Sequence, residues 1–222
     1  MNGKKPELKD QLEETVQAFM AGLPKEDAQI TAKSFEKLHA SDTADGAINS
    51  GDKAPDFELP NATGGTVRLY EVLDKGPVVL NFYRGGWCPF CNLELQALQS
   101  RLQEIRSLGA TLIGISPETP DNSLTTAEKH QLDFDVLSDL GNTTARSYGL
   151  IFTVYEEMRP LYLKWELDVP AVNGDNSWEL PVPATYLIDK DRVVRAAHVD
   201  KDYTKRMEPD LILAELRKLA KP

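Results

Sequence analysis

Two cysteines, Cys88 and Cys91, are the residues of this 222-residue chain whose type and spacing most clearly predict chemistry. They are its only cysteines, and two residues separate them. A Cys-x-x-Cys pair either cycles between a dithiol and a disulfide or supplies half of a zinc site. A zinc site needs further ligands at short spacing, whereas the three histidines stand isolated from one another: His39, His130 and His198. The pattern therefore favours a redox dithiol and predicts neither a metal nor a cofactor.

The dithiol is expected at a junction between a strand and a helix. Residues 78–83 form a short β-branched and aromatic run that predicts a buried strand. Beyond the second cysteine, apolar residues recur at steps of four and three, which predicts a helix over about 90–108. Pro89 suits the first turn of that helix, where its missing N–H costs nothing. Because the helix dipole and free N–H groups favour a thiolate there, we expect Cys88 to be the exposed nucleophile and Cys91 the more buried, resolving thiol.

The rest of the chain predicts a helical extension followed by one larger domain. We expect helices near 7–23 and 26–40 within an extension over residues 1–45, and a main domain over residues 46–222. In the main domain a strand–helix–strand half precedes a strand–strand–helix half, with the cysteine pair at the tip of the first helix. This order is typical of a thioredoxin-like α/β fold, in which helices flank a mixed central sheet. Catalysis is then expected at the carboxyl end of the 78–83 strand.

Composition limits the classes of partner. The formal net charge of −10 and the lack of any run rich in Lys and Arg argue against a nucleic-acid surface. No apolar run approaches the roughly 18 residues of a membrane span, and the first residues lack an apolar signal core. We therefore predict a cytoplasmic protein with no membrane partner, in which a Cys-x-x-Cys pair is usually catalytic.

Three motifs give the chain its resemblance to a known family: Ala-Pro-Asp-Phe-Glu-Leu from Ala54, Phe-Tyr-Arg-Gly-Gly-Trp-Cys-Pro-Phe-Cys-Asn-Leu-Glu-Leu from Phe82, and Pro-Ala-Thr-Tyr-Leu-Ile-Asp from Pro183. From about Gly51 to the C-terminus, the chain resembles the peroxiredoxin-like alkyl hydroperoxide reductase / thiol-specific antioxidant family of the thioredoxin superfamily. The resemblance implies a thiol-dependent oxidoreductase with a redox-active disulfide and a role in antioxidant defence.

Individual positions show how far that resemblance extends. Aligning Glu94 with the glutamate of the family's motif places the peroxidatic cysteine on Cys91. The family's threonine then falls on Cys88, its proline on Arg84 and its arginine on Pro183. The alignment therefore implies a hydroperoxide reductase in which Cys91 is peroxidatic and Cys88 is resolving, with the residues around the sulfur replaced.

Other positions resemble thioredoxin itself. Trp87 precedes the first cysteine as in the Trp-Cys-x-x-Cys motif, and Pro183 matches the cis-proline that lies against the dithiol. Asn81 stands where thioredoxin has a proton-shuttling Asp. Glu94, one helical turn after Cys91, is a candidate substitute base, and a solvated helix charge is its alternative.

The sequence allows two interpretations of several supporting residues. Arg84 either lowers a thiol pKa and holds an anionic oxygen, or is an exposed loop cation. Trp87 and Phe90 either form an apolar rim for a partner or only pack the loop. The segment over residues 153–182 either covers the dithiol or packs as an aromatic insertion on the sheet edge.

The leading hypothesis is thiol–disulfide exchange by a Cys88–Cys91 dithiol, and the hydroperoxide reductase is its alternative. A second alternative is a Cu(I)-binding module that uses both cysteines and His198. A third is a non-catalytic interaction protein. The expected partners are a thioredoxin or glutathione-type electron donor and a disulfide or hydroperoxide substrate, and the N-terminal helices are a candidate homodimer contact.

Overall fold

Helices and strands alternate along the chain in the computed structural model, which describes residues 7–220. The strands are β1 (Glu58–Pro60), β2 (Thr66–Arg68), β3 (Val78–Phe82), β4 (Thr111–Ser116), β5 (Asp135–Ser138), β6 (Ile151–Thr153), β7 (Glu179–Pro181), β8 (Ala184–Ile188) and β9 (Val194–Val199). The helices are α1 (Leu8–Gly22), α2 (Lys25–Ala40), α3 (Leu69–Leu73), α4 (Pro89–Ser100), α5 (Leu102–Ser107), α6 (Pro120–His130), α7 (Thr143–Ser147), α8 (Arg159–Lys164), α9 (Val169–Asn173) and α10 (Pro209–Leu219). Single 3-10 turns precede α7 and α8.

The central sheet has the strand order β5-β4-β3-β8-β9. Strand β3 pairs in parallel with β4 and antiparallel with β8, whereas β9 pairs antiparallel with β8. The predicted mixed sheet is therefore confirmed. The carboxyl end of β3 lies in the middle of the sheet, where the chain turns into α4 and where the dithiol was expected.

Both faces of this sheet are buried. Successive side chains of a strand point to opposite faces, so the residues of β3 divide between two clusters. Val79 of β3 and Tyr83, directly after it, pack in the cluster that contains residues of α1, α4, α5 and α10. Leu80 and Phe82 pack on the other face with Tyr148 and Tyr186. The strand that leads to the dithiol is thus fixed by apolar contacts on each side.

The predicted helix over about 90–108 is interrupted. Arg101, with φ −110° and ψ 5°, separates α4 from α5. Its guanidinium pairs with Glu104 of α5 and Asp210 of α10. Leu102 and Ile105 remain in the core, so the apolar periodicity was correct while the continuity was not.

The two N-terminal helices pack against different parts of the molecule. Leu8 and Leu12 of α1 are buried in the same cluster as α4. Helix α2 instead contacts the 3-10 turn before α8, where Lys37 pairs with Glu157 at 3.0 Å. The division at residues 45 and 46 stays a prediction, and residues 1–6 and 221–222 of the two predicted units lie outside the described residues. Within residues 7–220, no helix combines the length and apolar composition that crossing a bilayer requires.

Candidate active site

Cys88 is the residue immediately before the first turn of α4. Its φ of −84° and ψ of 114° are extended, and Pro89 occupies the first helical position as predicted. The carbonyl of Cys88 accepts the N–H of Asn92 at 3.0 Å, which begins the helical hydrogen bonds. Cys91 follows one turn later on the inner face of the helix. The predicted strand–cysteine–helix junction is therefore present.

The expected exposure of Cys88 is wrong. Both Cys88 and Cys91 are 0% exposed, and both are free thiols. The helix N-terminus alone would leave the first sulfur open, but side chains from α8 and from the segment between β9 and α10 lie over it. A reactant therefore reaches Cys88 through the partly open cavity that these side chains line, or after these elements move.

The surroundings of Cys88 favour its thiolate. Burial by itself raises the pKa of a thiol, because it disfavours the charged form. A hydrogen bond from Cys91 and the positive charges of Arg84 and Arg206 act in the opposite direction and lower the pKa of Cys88 to about 6. The pKa of Cys91 is raised by burial and by its hydrogen bond to the neighbouring sulfur. The surroundings of the pair therefore favour a thiolate at Cys88 and a protonated thiol at Cys91.

Arg206 is a member of the site that the sequence did not reveal. Its side chain is 1% exposed, its Nε donates to Glu94 Oε2 at 2.6 Å, and its Nη2 donates to Cys91 Sγ at 3.4 Å. The carbonyls of Tyr203 and Lys205 accept from Nη1. The chain separates Arg206 from Cys91 by 115 residues, and an arginine before the last helix carries no sequence signal that would mark it.

Glu94 is buried, so its interpretation as a solvated helix charge is wrong. It is 1% exposed and forms the buried ion pair with Arg206. Its Oε1 accepts from Thr185 Oγ1 at 3.1 Å, and Thr185 in turn accepts from Asn81 Nδ2 at 3.0 Å. Burial raises the pKa of Glu94 to about 7 although Arg206 opposes the shift. A carboxyl group that exchanges a proton near neutral pH therefore lies one helical turn from Cys91.

Arg84 is not an exposed loop cation. Its side chain is buried, and Nη2 donates to the hydroxyl of Tyr162. The guanidinium carbon lies 4.8 Å from the centre of the Trp87 ring and 4.0 Å from that of Tyr203. Among the described residues no carboxylate forms an ion pair with Arg84, and its positive charge lowers the pKa of Cys88.

An aromatic cavity of about 230 Å³ lies beside Cys88. Its walls come from α1, the loop before α4, α8 and the segment before α10, and include Phe19, Arg84, Trp87, Cys88, Phe90, Tyr162, Trp165 and Tyr203. The Trp87 and Tyr162 rings meet edge to face at 6.0 Å, and Phe19 meets Trp165 in the same way at 5.4 Å. Cys88 lines this cavity, whereas Cys91 does not.

Glu118 is a second buried carboxyl group that the sequence did not reveal. It follows β4, and its Oε2 accepts the N–H of Gly86 at 3.0 Å. The carbonyl of Gly86 accepts from Asn92 Nδ2 at 2.8 Å, and a side chain at Gly86 would collide with Thr126. Burial raises the pKa of Glu118 to about 7, against the effect of the Gly86 hydrogen bond. Glu118 thus holds the loop that leads into Cys88.

The prediction of a cis-proline at Pro183 is wrong, because the peptide bonds of residues 7–220 are all trans. The trans form is the lower-energy state even before proline. Pro183 is buried directly before β8, whose first residue, Ala184, pairs with Phe82. His198 lines a different groove beside Arg206, and no three His, Cys, Asp or Glu side chains of the described residues cluster as a metal site.

Comparisons with known proteins agree on the family and the fold. Residues 50–197 match the model of the AhpC/TSA family. A Mycobacterium tuberculosis protein with a provisional peroxiredoxin name is 28% identical over 170 residues, which cover 77% of this chain and 97% of that protein. The chloroplastic peroxiredoxin Q of Populus jackii is 29% identical over 172 residues, or 78% of this chain and 68% of its own length.

Solved structures lead to the same fold. Peroxidoxin BcpB from Mycobacterium tuberculosis superposes with a TM-score of 0.61 at 28% identity, covering 78% of this chain and 98% of its own. The reduced 2-Cys peroxiredoxin of Plasmodium vivax superposes with a TM-score of 0.60 at 19% identity, covering 78% and 82%. The latter likeness concerns the fold alone. The predicted thioredoxin-like α/β fold is confirmed.

Proposed function

Because this chain belongs to the AhpC/TSA family and is a thiol-dependent oxidoreductase, we propose that it reduces hydroperoxides through a Cys88–Cys91 disulfide. In this proposal Cys88 attacks and Cys91 resolves. The assignment of roles keeps the order predicted from the helix tip and departs from the order that the family alignment implies.

The observation that carries the proposal is the position of Cys88. It lines the aromatic cavity, and its thiolate is favoured by Cys91, Arg84 and Arg206. Only the thiolate is a competent nucleophile toward a peroxide oxygen. Cys91 lacks both properties, since its residue is outside the cavity wall and its pKa is raised by burial.

The enclosure of both sulfurs favours a small oxidant over a protein disulfide. A cavity of about 230 Å³ has room for a hydroperoxide group and a short carbon chain. A disulfide in a folded protein would have to displace Tyr162, Trp165 and Tyr203 before its sulfur came into line with Cys88. Exchange with small disulfides stays compatible with this geometry, whereas no observation favours the copper-binding alternative.

The proposed reaction balances in two steps. The Cys88 thiolate attacks the terminal oxygen of the hydroperoxide, the O–O bond breaks, and the alkoxide takes a proton from water and leaves as an alcohol. Cys88 becomes a sulfenic acid, oxidised by two electrons. Cys91 then attacks that sulfur, the S–O bond breaks, and the hydroxide leaves as water with the proton that Cys91 gave up. Two further electrons from a thioredoxin or glutathione-type donor restore the dithiol.

Glu94, Arg84 and Trp87 have supporting roles in this proposal. Glu94 accepts the proton of Cys91, which its position beside Arg206 and its near-neutral pKa of about 7 support. Arg84 balances the charge of the Cys88 thiolate, and Trp87 forms the apolar wall of the cavity. Pro89 starts the helix, and Pro183 ends the loop before β8. We also keep the cytoplasmic location as a proposal, because a reducing compartment maintains the dithiol.

Stopped-flow oxidation of the reduced protein tests this function. We expect one equivalent of hydrogen peroxide or a small alkyl hydroperoxide to form the Cys88–Cys91 disulfide much faster than oxidised insulin does. In Cys91→Ser, dimedone should label Cys88 as a sulfenic acid, and Cys88→Ser should abolish the fast phase. A peroxide rate no better than that of a free thiol, or a fast sulfenic acid on Cys91 in Cys88→Ser, would contradict the proposal.

A further inference from the structure

Arg206 lies beyond the segment that matches the family, yet it touches the dithiol. It follows β9 and precedes α10, in a stretch that returns to the carboxyl end of the sheet. Its side chain is enclosed, with 1% of its area exposed. A buried guanidinium is costly unless each of its donors is satisfied, so its contacts indicate what it is positioned to do.

Those contacts orient one nitrogen toward one sulfur. Nε is bound to Glu94 at 2.6 Å, and Nη1 is bound to the carbonyls of Tyr203 and Lys205. Nη2 donates to Cys91 Sγ at 3.4 Å. Because the guanidinium is planar, fixing Nε and Nη1 also fixes the direction of Nη2.

In the proposed reaction Cys91 must become a thiolate after Cys88 has been oxidised. While Cys88 is a thiolate, Cys91 keeps its proton because it donates a hydrogen bond to that anion. Once Cys88 is a sulfenic acid this anion is gone, and Arg206 is the cation in contact with Cys91. We propose that Arg206 is a further catalytic residue, whose guanidinium stabilises the Cys91 thiolate while that sulfur closes the disulfide with Cys88.

This step rests on the proposed function, and its protons and bonds balance among the groups at the site. The Cys91 proton passes to the carboxylate of Glu94, the S–S bond forms, and the hydroxide that leaves Cys88 takes up the proton as water. In the return direction a donor thiolate attacks Cys88 and the S–S bond breaks. Cys91 then leaves as the thiolate that Arg206 stabilises.

The experiment measures the two chemical steps separately in Arg206→Gln and Arg206→Lys. One equivalent of peroxide is added to the reduced protein, and dimedone-trapped sulfenic acid and disulfide are quantified over time. We expect the formation of sulfenic acid to slow only slightly in Arg206→Gln, because the Cys91 hydrogen bond and Arg84 still stabilise the Cys88 thiolate. Disulfide closure should slow by on the order of tenfold or more, since losing an adjacent opposite charge shifts a pKa by one or more units. Arg206→Lys keeps the charge and should close the disulfide faster than the Gln variant.

A matched control and a pH profile separate this role from a structural one. Arg101→Gln removes another arginine that pairs with carboxylates, at the end of α4, the helix that carries both cysteines. It should leave both steps unchanged. In Arg206→Gln the pH midpoint of disulfide closure should rise. The titratable or charged groups that face Arg206 from the neighbouring elements are Glu94, Cys91, Cys88 and His198.

Disulfide closure that is unchanged in Arg206→Gln, or slowed equally in the Arg101 control, would overturn the inference. If the Gln variant does not fold, the pH profile of closure in the wild-type protein decides. A midpoint below about 8.5, the pKa of an ordinary thiol, supports the inference, and a midpoint at or above that value overturns it. Failure of the proposed function is distinguishable, since the wild-type protein would then form no sulfenic acid on Cys88 at all.

Discussion

Cys88 owes its thiolate character to residues from three separate parts of the chain. Cys91 donates a hydrogen bond from the next turn of its own helix, Arg84 supplies a cation from the loop before it, and Arg206 supplies a second cation from the far end of the sequence. A helix N-terminus makes a modest contribution to such a shift. The Cys91 hydrogen bond is the largest of the three effects that lower the pKa of Cys88, and the two guanidiniums add to it.

The pH dependence of alkylation tests this arrangement. Positive charge stabilises a thiolate and so lowers its pKa, from about 8.5 for an ordinary thiol. We expect iodoacetamide to label Cys88 with a rate that rises to a midpoint near pH 6, set by the lowered pKa of Cys88, as followed by peptide mass mapping. Arg84→Gln should raise that midpoint by about one unit or more. A wild-type midpoint at the ordinary thiol value would contradict the charge arrangement.

At the scale of elements, α8 separates the dithiol from solvent. Tyr162 receives a hydrogen bond from Arg84 and meets Trp87 edge to face, while Trp165 just beyond the helix meets Phe19 of α1. Lys164 adds an ion pair with Asp27 of α2. Both N-terminal helices thus hold the element that covers the sulfurs, and access to Cys88 depends on contacts far from the chemistry.

Trp165→Ala tests whether α8 controls access. Trp165 forms aromatic pairs with both Phe19 and Tyr162. Losing both pairs removes about 1–3 kcal/mol and should increase the open population roughly fivefold or more. We expect a bulky aromatic disulfide reagent to react correspondingly faster with Cys88, whereas the rate with hydrogen peroxide changes little. Leu163→Ala is the matched control, because Leu163 lies on the same helix and is 52% exposed. Equal acceleration in both variants would mean that the Trp165 contact does not control access.

Elements with a clear pattern were predictable, and contacts between distant segments were not. Strands β3, β4, β5, β8 and β9 follow β-branched and apolar runs, and α4 follows its apolar periodicity from Pro89. The positions of Cys88 and Cys91 follow from that helix. Their burial does not, because Tyr162 and Arg206 lie at least 71 and 115 residues away in the chain and pack here in a way that no local pattern encodes.

Across the whole molecule, the N-terminal helices share their packing with the family segment. Leu8 and Leu12 of α1 lie in one cluster with Leu95 and Leu98 of α4, the helix that carries both cysteines. Phe35 of α2 lies 4.5 Å from Tyr203, ring centre to ring centre. The structure therefore gives the extension a packing role, whereas association into a homodimer stays a prediction.

Leu12→Ala tests how strongly α1 is integrated. Truncating a buried leucine costs about 2–5 kcal/mol of the free energy of unfolding, and Leu12 is 4% exposed. We expect a loss in this range, measured by urea unfolding of the whole chain in a single transition. Glu14→Ala on the exposed side of the same helix should change the free energy by less than about 0.5 kcal/mol. A separate early transition, or no loss for Leu12→Ala, would favour an independent N-terminal unit.

Part of the wall of the aromatic cavity comes from outside the segment that matches the family. Phe19 and Tyr203 flank the reacting sulfur from outside residues 50–197, on the N-terminal and C-terminal sides respectively. Two homologues that agree throughout the matched segment can therefore differ in the size and shape of oxidant that they admit. Selectivity for the oxidant among such homologues is best compared through the flanking sequences, where gain or loss of a single aromatic side chain would change the shape of the cavity.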